Sequence, residues 1–92
     1  MDNLLPGREL IERGLADLAA EEESVEALLV SIGAPRLRAL GLSVPRCIPG
    51  AERRLYDKLA AEDSGSAHSR YNALVRRLVS YERAAECVSR RI

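Results

Sequence analysis

The residues best suited to chemistry lie in one short stretch, at the start of the last helix that the sequence predicts. His68, the only histidine, is followed by Arg70, Tyr71 and Asn72. A histidine can serve as a general base, so one hypothesis is a metal-independent, nuclease-like enzyme built around His68 with Asn72 beside it. Catalytic groups usually come from distant segments, however, and residues crowded into one turn rarely point at one another. The alternative is an ordinary histidine at the edge of the core, and we expect no catalytic residues and no enzyme.

The same helix carries a second candidate site, a series of outward-facing arginines. Its members are Arg70, Arg76, Arg77, Arg83, Arg90 and Arg91. Three of them, Arg76, Arg83 and Arg90, recur every seven residues. That spacing is about 10 Å along a helix, so their guanidinium groups could bridge phosphates or bind a protein partner. The third explanation is an ordinary solvated face, because Glu86 is placed for intrahelical ion pairs with Arg83 and Arg90.

Metal, cofactor and membrane sites are not predicted. One histidine and two distant cysteines, Cys47 and Cys87, lack the ligand spacing of a zinc site, and a reducing compartment favours free thiols. Neither helix start that contains a glycine resembles a loop that cradles nucleotide phosphates. No apolar run approaches the ~18 residues of a membrane-spanning helix, and the amino terminus lacks the apolar segment of a secretory signal. We therefore expect a cytoplasmic protein with no metal, no cofactor and no membrane contact.

The elements that must position these residues are helical. Leu, Ala, Glu and Arg dominate the 92 residues, and the aromatic residues are limited to three tyrosines. Because the four common residues are strong helix formers and sheet-forming residues are scarce, the composition predicts an all-α fold. A chain of this length fits a single small domain whose core is modest, with a stability of roughly 5–14 kcal/mol. The prediction is one bundle of four to five helices with a long C-terminal helix.

Glycine, proline and serine positions divide the chain into five expected helices, at about residues 7–21, 24–32, 35–40, 50–62 and 66–90, with a proline-bounded connector over 42–49. The first break is ambiguous, because the apolar series from Ile11 to Ile32 also fits one unbroken helix. We favour a break, since the acids at 21–23 oppose the dipole at a helix end but suit the start of a helix capped by Ser24. Gly14 lies on the apolar side of the first helix, where a missing side chain would let another helix come close.

The last helix is amphipathic, and its length and two-sided pattern predict that it is the central element of the bundle. Its expected core face consists of Tyr71, Leu74, Val75, Leu78, Tyr81, Ala85, Val88 and Ile92. A DNA-reading helix-turn-helix formed by the second and third helices is disfavoured, because the third offers only Arg36 and Arg38 to base edges. Those two arginines would add a secondary patch at most.

The two halves of the chain carry opposite charge, although the formal net charge is zero. Residues 1–46 contain five basic and eight acidic residues, a net charge of −3, and residues 47–92 contain nine basic and six acidic, a net charge of +3. A dipolar chain with a small core is suited to pairing with a copy of itself. The sequence thus predicts a small bacterial protein that acts as a protein–protein interaction or self-associating regulatory or accessory module, a homo-oligomer or dimer. A nucleic-acid-binding regulator that uses the arginine series is the alternative, and an enzyme around His68 is the third hypothesis.

Overall fold

The computed structural model describes residues 5–90, with side chains over 5–88, and within that part of the chain it contains five α-helices and no strand. This confirms the all-α fold with a long C-terminal helix, and each observed helix end lies within two residues of the expected one. The helices are α1 (Arg8–Ala19), α2 (Val25–Ile32), α3 (Ala34–Ala39), α4 (Ala51–Glu62) and α5 (Ala67–Arg90).

The break between α1 and α2 is built by the residues expected to make it. Glu21 adopts a left-handed conformation with φ of 62°, and the next N–H, of Glu22, donates to the Asp17 carbonyl at 2.8 Å, which ends α1. Ser24 caps α2 by accepting a hydrogen bond from the Ala27 N–H at 3.0 Å, and its hydroxyl donates to Asp17 Oδ2 at 2.5 Å. The last turn of α1 is thereby tied to the first turn of α2, so the unbroken-helix alternative is wrong.

Gly14 is the point of closest approach between α1 and α2. A Cβ atom placed there would collide with the carbonyl oxygen of Glu26 and with Cγ2 of Val30, and would lie 2.9 Å from the Glu26 carbonyl carbon. The expectation that this glycine admits a second helix is therefore confirmed. Because the obstruction includes backbone atoms, no side-chain rotation in α2 can relieve it.

The centre of the bundle is α2 and not α5, so the prediction of a central last helix is wrong. Residues 27–30 of α2 are fully buried, and α2 packs on α1, α4, α3 and α5. The reason lies in the local sequence, since a helix that is apolar on nearly every side must be surrounded, whereas an amphipathic helix lies at the edge. The other large side chains that complete this core are Ile11, Leu18, Leu37, Leu55 and Leu59.

Only part of the expected core face of α5 is covered. Leu78 and Tyr81 are buried, and Tyr71, Leu74 and Ala85 are half-buried against the core. In contrast, Val88 is 52% exposed and Val75 is only half-buried, whereas Ala67 is fully buried at the start of the helix. Ile92 lies outside the described residues. With 24 residues α5 is about 36 Å long, twice the length of α1 or α4, so it extends past the helices that it packs on.

Ser31 holds the connector between α3 and α4 against α2. Its buried hydroxyl accepts a hydrogen bond from the Ile48 N–H at 3.1 Å, and its carbonyl accepts one from the Cys47 thiol at 3.4 Å. Arg38 also contacts this segment, donating to the Val44 carbonyl at 3.2 Å. Arg38, one of the two arginines considered for a secondary patch, is thus engaged in a hydrogen bond with the connector.

Candidate functional site

The outward side of α5 is rich in hydrogen-bond donors and poor in acids. Among its described side chains α5 has two carboxylates, Glu82 and Glu86, and neither is among the exposed residues of the helix. Glu82 is buried, with 5% of its surface exposed, and Glu86 is bound by Arg36 of α3. The exposed residues of this helix are His68, Ser69, Arg70, Asn72, Ala73, Arg76, Arg77, Ser80, Arg83, Cys87 and Val88.

Arg36 of α3 contacts both carboxylates of α5, Glu82 and Glu86. Its Nη2 donates to Glu86 Oε1 at 2.8 Å, and its Nη1 lies 4.0 Å from Glu82 Oε1. Sequence reasoning placed Glu86 in ion pairs with arginines of its own helix, but Arg83 contacts no carboxylate among the side chains at 5–88. Glu86 therefore binds Arg36, 50 positions earlier in the chain, and not Arg83, while the expected pair with Arg90 lies outside the described side chains.

Most other described arginines are engaged. Six of them pair with acids: Arg8 with Glu12, Arg36 with Glu86, Arg46 with Glu21, Arg53 with Asp57, Arg54 with Glu23, and Arg70 with Glu62. In the part of the chain with described side chains, the arginines that have neither an ion pair nor a hydrogen bond are Arg13, Arg76, Arg77 and Arg83. Three of these four lie within eight consecutive residues of α5. The Arg90 side chain and Arg91 are outside the described residues.

The residues grouped around His68 in the sequence diverge in the structure. Asn72 Nδ2 lies 3.2 Å from His68 Nε2, and both side chains are exposed. Arg70 turns to Glu62 at 3.0 Å, while Tyr71 packs against Tyr56 with ring centroids 6.0 Å apart. Over residues 5–88 no carboxylate or hydroxyl contacts the His68 ring, so the structure adds no group that would orient or activate it as a base.

The described residues form neither a metal site nor a membrane-spanning helix. No three His, Cys, Asp or Glu side chains among them converge in a way that could hold a metal ion. Cys47 and Cys87 are both exposed free thiols. No helix in the described part of the chain combines the length and apolarity that crossing a bilayer requires.

An open groove of about 460 Å³ lies between α1 and α5, and sequence reasoning missed it. We call it the α1–α5 groove. The two helices meet at Gly7, where a Cβ atom would lie 3.1 Å from the Arg77 carbonyl oxygen, and they leave apolar surface uncovered along their length. Burial raises the pKa of the Tyr81 hydroxyl in this groove, nearby Glu12 raises it further, and Arg8 opposes both. The groove is lined by Leu5, Arg8, Glu12, Leu15, Leu42, Tyr81 and Val88.

Glu82 is a second feature that sequence reasoning missed. Its carboxylate is packed against the junction of α2 and α3, so that a Cβ atom on Gly33 would lie 2.8 Å from Glu82 Oε2 and 2.9 Å from Leu78 Cδ1. Burial raises the pKa of Glu82, and the positive charge of Arg36 lowers it in part. The available signal was its position four residues after Leu78, which puts it on the buried side of the helix.

A smaller cleft of about 150 Å³ lies beside the acidic turn between α1 and α2, lined in part by Glu21, Glu22 and Glu23. Its acids are largely neutralised, because Glu21 pairs with Arg46 at 3.4 Å and Glu23 receives two hydrogen bonds from Arg54 at 2.7 and 2.9 Å. The Arg54 bonds lower the pKa of Glu23. This cleft therefore offers little uncompensated charge to a ligand.

Comparison with known proteins yields no relative: no protein-family model matches the chain, and no curated protein and no solved structure is similar to it.

Proposed function

We propose that the protein is a bacterial, cytoplasmic interaction module that associates with a second copy of itself, as a dimer, through the α1–α5 groove. The observation that supports this proposal is the apolar surface left open between two helices of a chain whose other large apolar residues are mostly covered. Val88 is 52% exposed on one wall, and Leu15 lies on the other. Exposed apolar patches of this kind mark protein-binding sites in small proteins.

The opposite charges of the two halves of the chain also support self-association, since an acidic region of one copy can face a basic region of the other. Exposed apolar surface that a monomer cannot cover is costly in water, at about 25 cal/mol per Å². No enzymatic role is proposed, because the His68 ring has no hydrogen bond or ion pair in the described structure beyond the one with Asn72.

The oligomeric state tests this proposal. Light scattering after size exclusion, at tens of micromolar protein, is expected to give a dimer for the natural chain and a monomer for Val88→Asp. Ser80→Asp is the matched control, because it adds the same charge to an exposed position of α5 outside the groove. Val88 is half in solvent already, so the substitution leaves the monomer fold intact, which far-UV circular dichroism can verify. A natural chain that stays monomeric at 100 µM or above would refute the proposal.

A further inference from the structure

The arginines Arg76, Arg77 and Arg83, which we call the arginine face, remain without a partner in a chain that pairs most of its other described arginines. All three are exposed. The acids that could have neutralised them are removed by the fold, since Glu82 is buried and Glu86 is bound to Arg36 at 2.8 Å. The fold therefore leaves a row of cations on α5 that only something outside the described part of the chain can neutralise.

These arginines flank a strip of small side chains. At about 100° per residue, Arg76 and Arg83 lie on one border of an outward arc and Arg77 lies on the other, roughly 100–120° away. The side chains between them are short, so a rod-like anion could approach the helix backbone closely while guanidinium groups reach it from both sides. The exposed residues of the strip are Ser69, Ala73, Ser80 and Cys87.

We infer that the arginine face binds the phosphate backbone of double-stranded nucleic acid without reading its sequence. The strip from Ser69 to Cys87 is about 27 Å long, which matches about eight base pairs of duplex at 3.4 Å per pair. The strip and the arginines on its borders offer guanidinium groups and the hydroxyls of Ser69 and Ser80, which are donors that commonly contact phosphate and sugar oxygens. Such contacts position a protein on a duplex and carry no base specificity.

Two features favour a phosphate backbone over other anionic partners. A protein partner would be expected to bury a large apolar or aromatic anchor at the centre of its interface, and the centre of this strip holds only small residues. Single-stranded nucleic acid is usually held by aromatic stacking. Here Tyr81 is buried and Tyr71 is half-buried against Tyr56, so neither presents a ring on the arginine face.

A net charge of zero does not oppose this binding. Charges separated by more than about 8 Å are largely screened at physiological ionic strength, so the local surface decides. The exposed acids of the turn between α1 and α2 are also partly neutralised, because Glu21 pairs with Arg46 and Glu23 with Arg54.

Most of the arginine face is separate from the α1–α5 groove. Arg76 precedes Tyr81 by five residues, and Arg83 precedes Val88 by five, which places each pair about 140° apart around the helix. Arg77 lies at the border between the two surfaces, because it precedes Val88 by eleven residues and is therefore only about 20° away from it around the helix. A duplex bound by Arg76 and Arg83 thus leaves the groove open to a second copy. This inference does not rest on the proposed self-association.

The test is fluorescence anisotropy with a labelled 20-base-pair DNA duplex at 50 and 200 mM salt. We expect sequence-independent dissociation constants on the order of 10⁻⁴–10⁻⁶ M near physiological salt. With three phosphate contacts, the slope of log K against log salt is about −2.7, so affinity falls roughly 40-fold between the two salt concentrations. In Arg76→Gln/Arg83→Gln the slope is expected to drop by about 2, to near −0.9.

The matched control is Arg13→Gln/Arg53→Gln, which lowers the net charge by the same amount on other helices and is expected to keep the natural slope. No binding at 50 mM salt with 100 µM protein would overturn the inference, as would an equal loss in both double variants. Equal or tighter binding of the matching single strand, or of poly-glutamate of the same charge, would show that the arginine face does not prefer duplex and would overturn the inference. Light scattering of Arg76→Gln/Arg83→Gln, expected to match the natural chain, keeps this test distinct from that of self-association.

Discussion

Replacing Gly14 by alanine tests the contact that joins α1 to the central helix. Helix propensity alone predicts a gain of about 1 kcal/mol, because glycine in a helix interior is less favourable than alanine by that amount. The structure predicts the opposite sign. The added Cβ would collide with the Glu26 carbonyl oxygen and Val30 Cγ2, and the obstructing carbonyl belongs to the backbone of α2.

The expected magnitude follows from these two effects. Overpacking a well-packed core costs about 1–3 kcal/mol, and this site lies at the upper end because backbone must move. After subtraction of the gain in propensity, the free energy of unfolding should fall by about 1–2 kcal/mol. For a domain of this size that corresponds to a decrease in Tm of about 4–16 °C.

The assay is urea denaturation followed by far-UV circular dichroism, with Ala16→Gly as the control. Ala16 is exposed on the same helix, so its replacement removes propensity without changing a contact in the core and should cost about 1 kcal/mol. Gly14→Ala and Ala16→Gly, which are opposite substitutions two residues apart, are thus each expected to destabilise the protein. A Gly14→Ala variant that is as stable as the natural chain, or more so, would mean that α1 and α2 do not meet at this residue.

The remaining predictions concern buried Glu82 and its neighbour Arg36. Because burial raises the pKa of Glu82 above its ordinary value of about 4.5, the protonated form stabilises the folded state below that pH, and this contribution is lost as pH rises through the folded-state pKa. Glu82→Gln has no side chain that can ionise at this position. Urea denaturation should therefore show that the variant gains stability relative to the natural chain between pH 4 and pH 7. A stability difference that does not change with pH would contradict this. Arg36→Gln removes the cation 4.0 Å from Glu82 and should destabilise the protein more at pH 7 than at pH 4. Arg36→Gln should also weaken duplex binding although Arg36 lies on another helix, because it removes a positive charge that compensates Glu86, three residues from Arg83. Unchanged anisotropy would contradict this expectation.

The helices of this protein could be predicted from the sequence because their ends are local events. Ser24 caps α2 with its own side chain, and Gly14 marks a close approach that its position on the apolar side already indicated. The central helix was misassigned because length was given more weight than the run of apolar residues that makes α2 buried on nearly every side.

The candidate site could be predicted only in part, because its character depends on pairs that are distant in the chain. Periodicity placed Arg76 and Arg83 on the outward side of α5 correctly. It could not show that Arg36, 50 residues before Glu86, would bind that acid. The exposure of Val88 could not be predicted either, since the helical pattern does not show which turns of α5 another helix covers.

The position of α3 therefore determines the charge of a surface that α3 does not itself form. With only six residues, α3 has little stability of its own, and it is held by buried Leu37 and by the bonds of Arg36 to α5. Because Glu82 and Glu86 both face this contact, Arg76, Arg77 and Arg83 pair with no carboxylate among the described side chains. Packing and surface charge are thus coupled through one guanidinium group. Any change that detaches α3 should expose a buried carboxylate and reduce the attraction of α5 for anions at the same time.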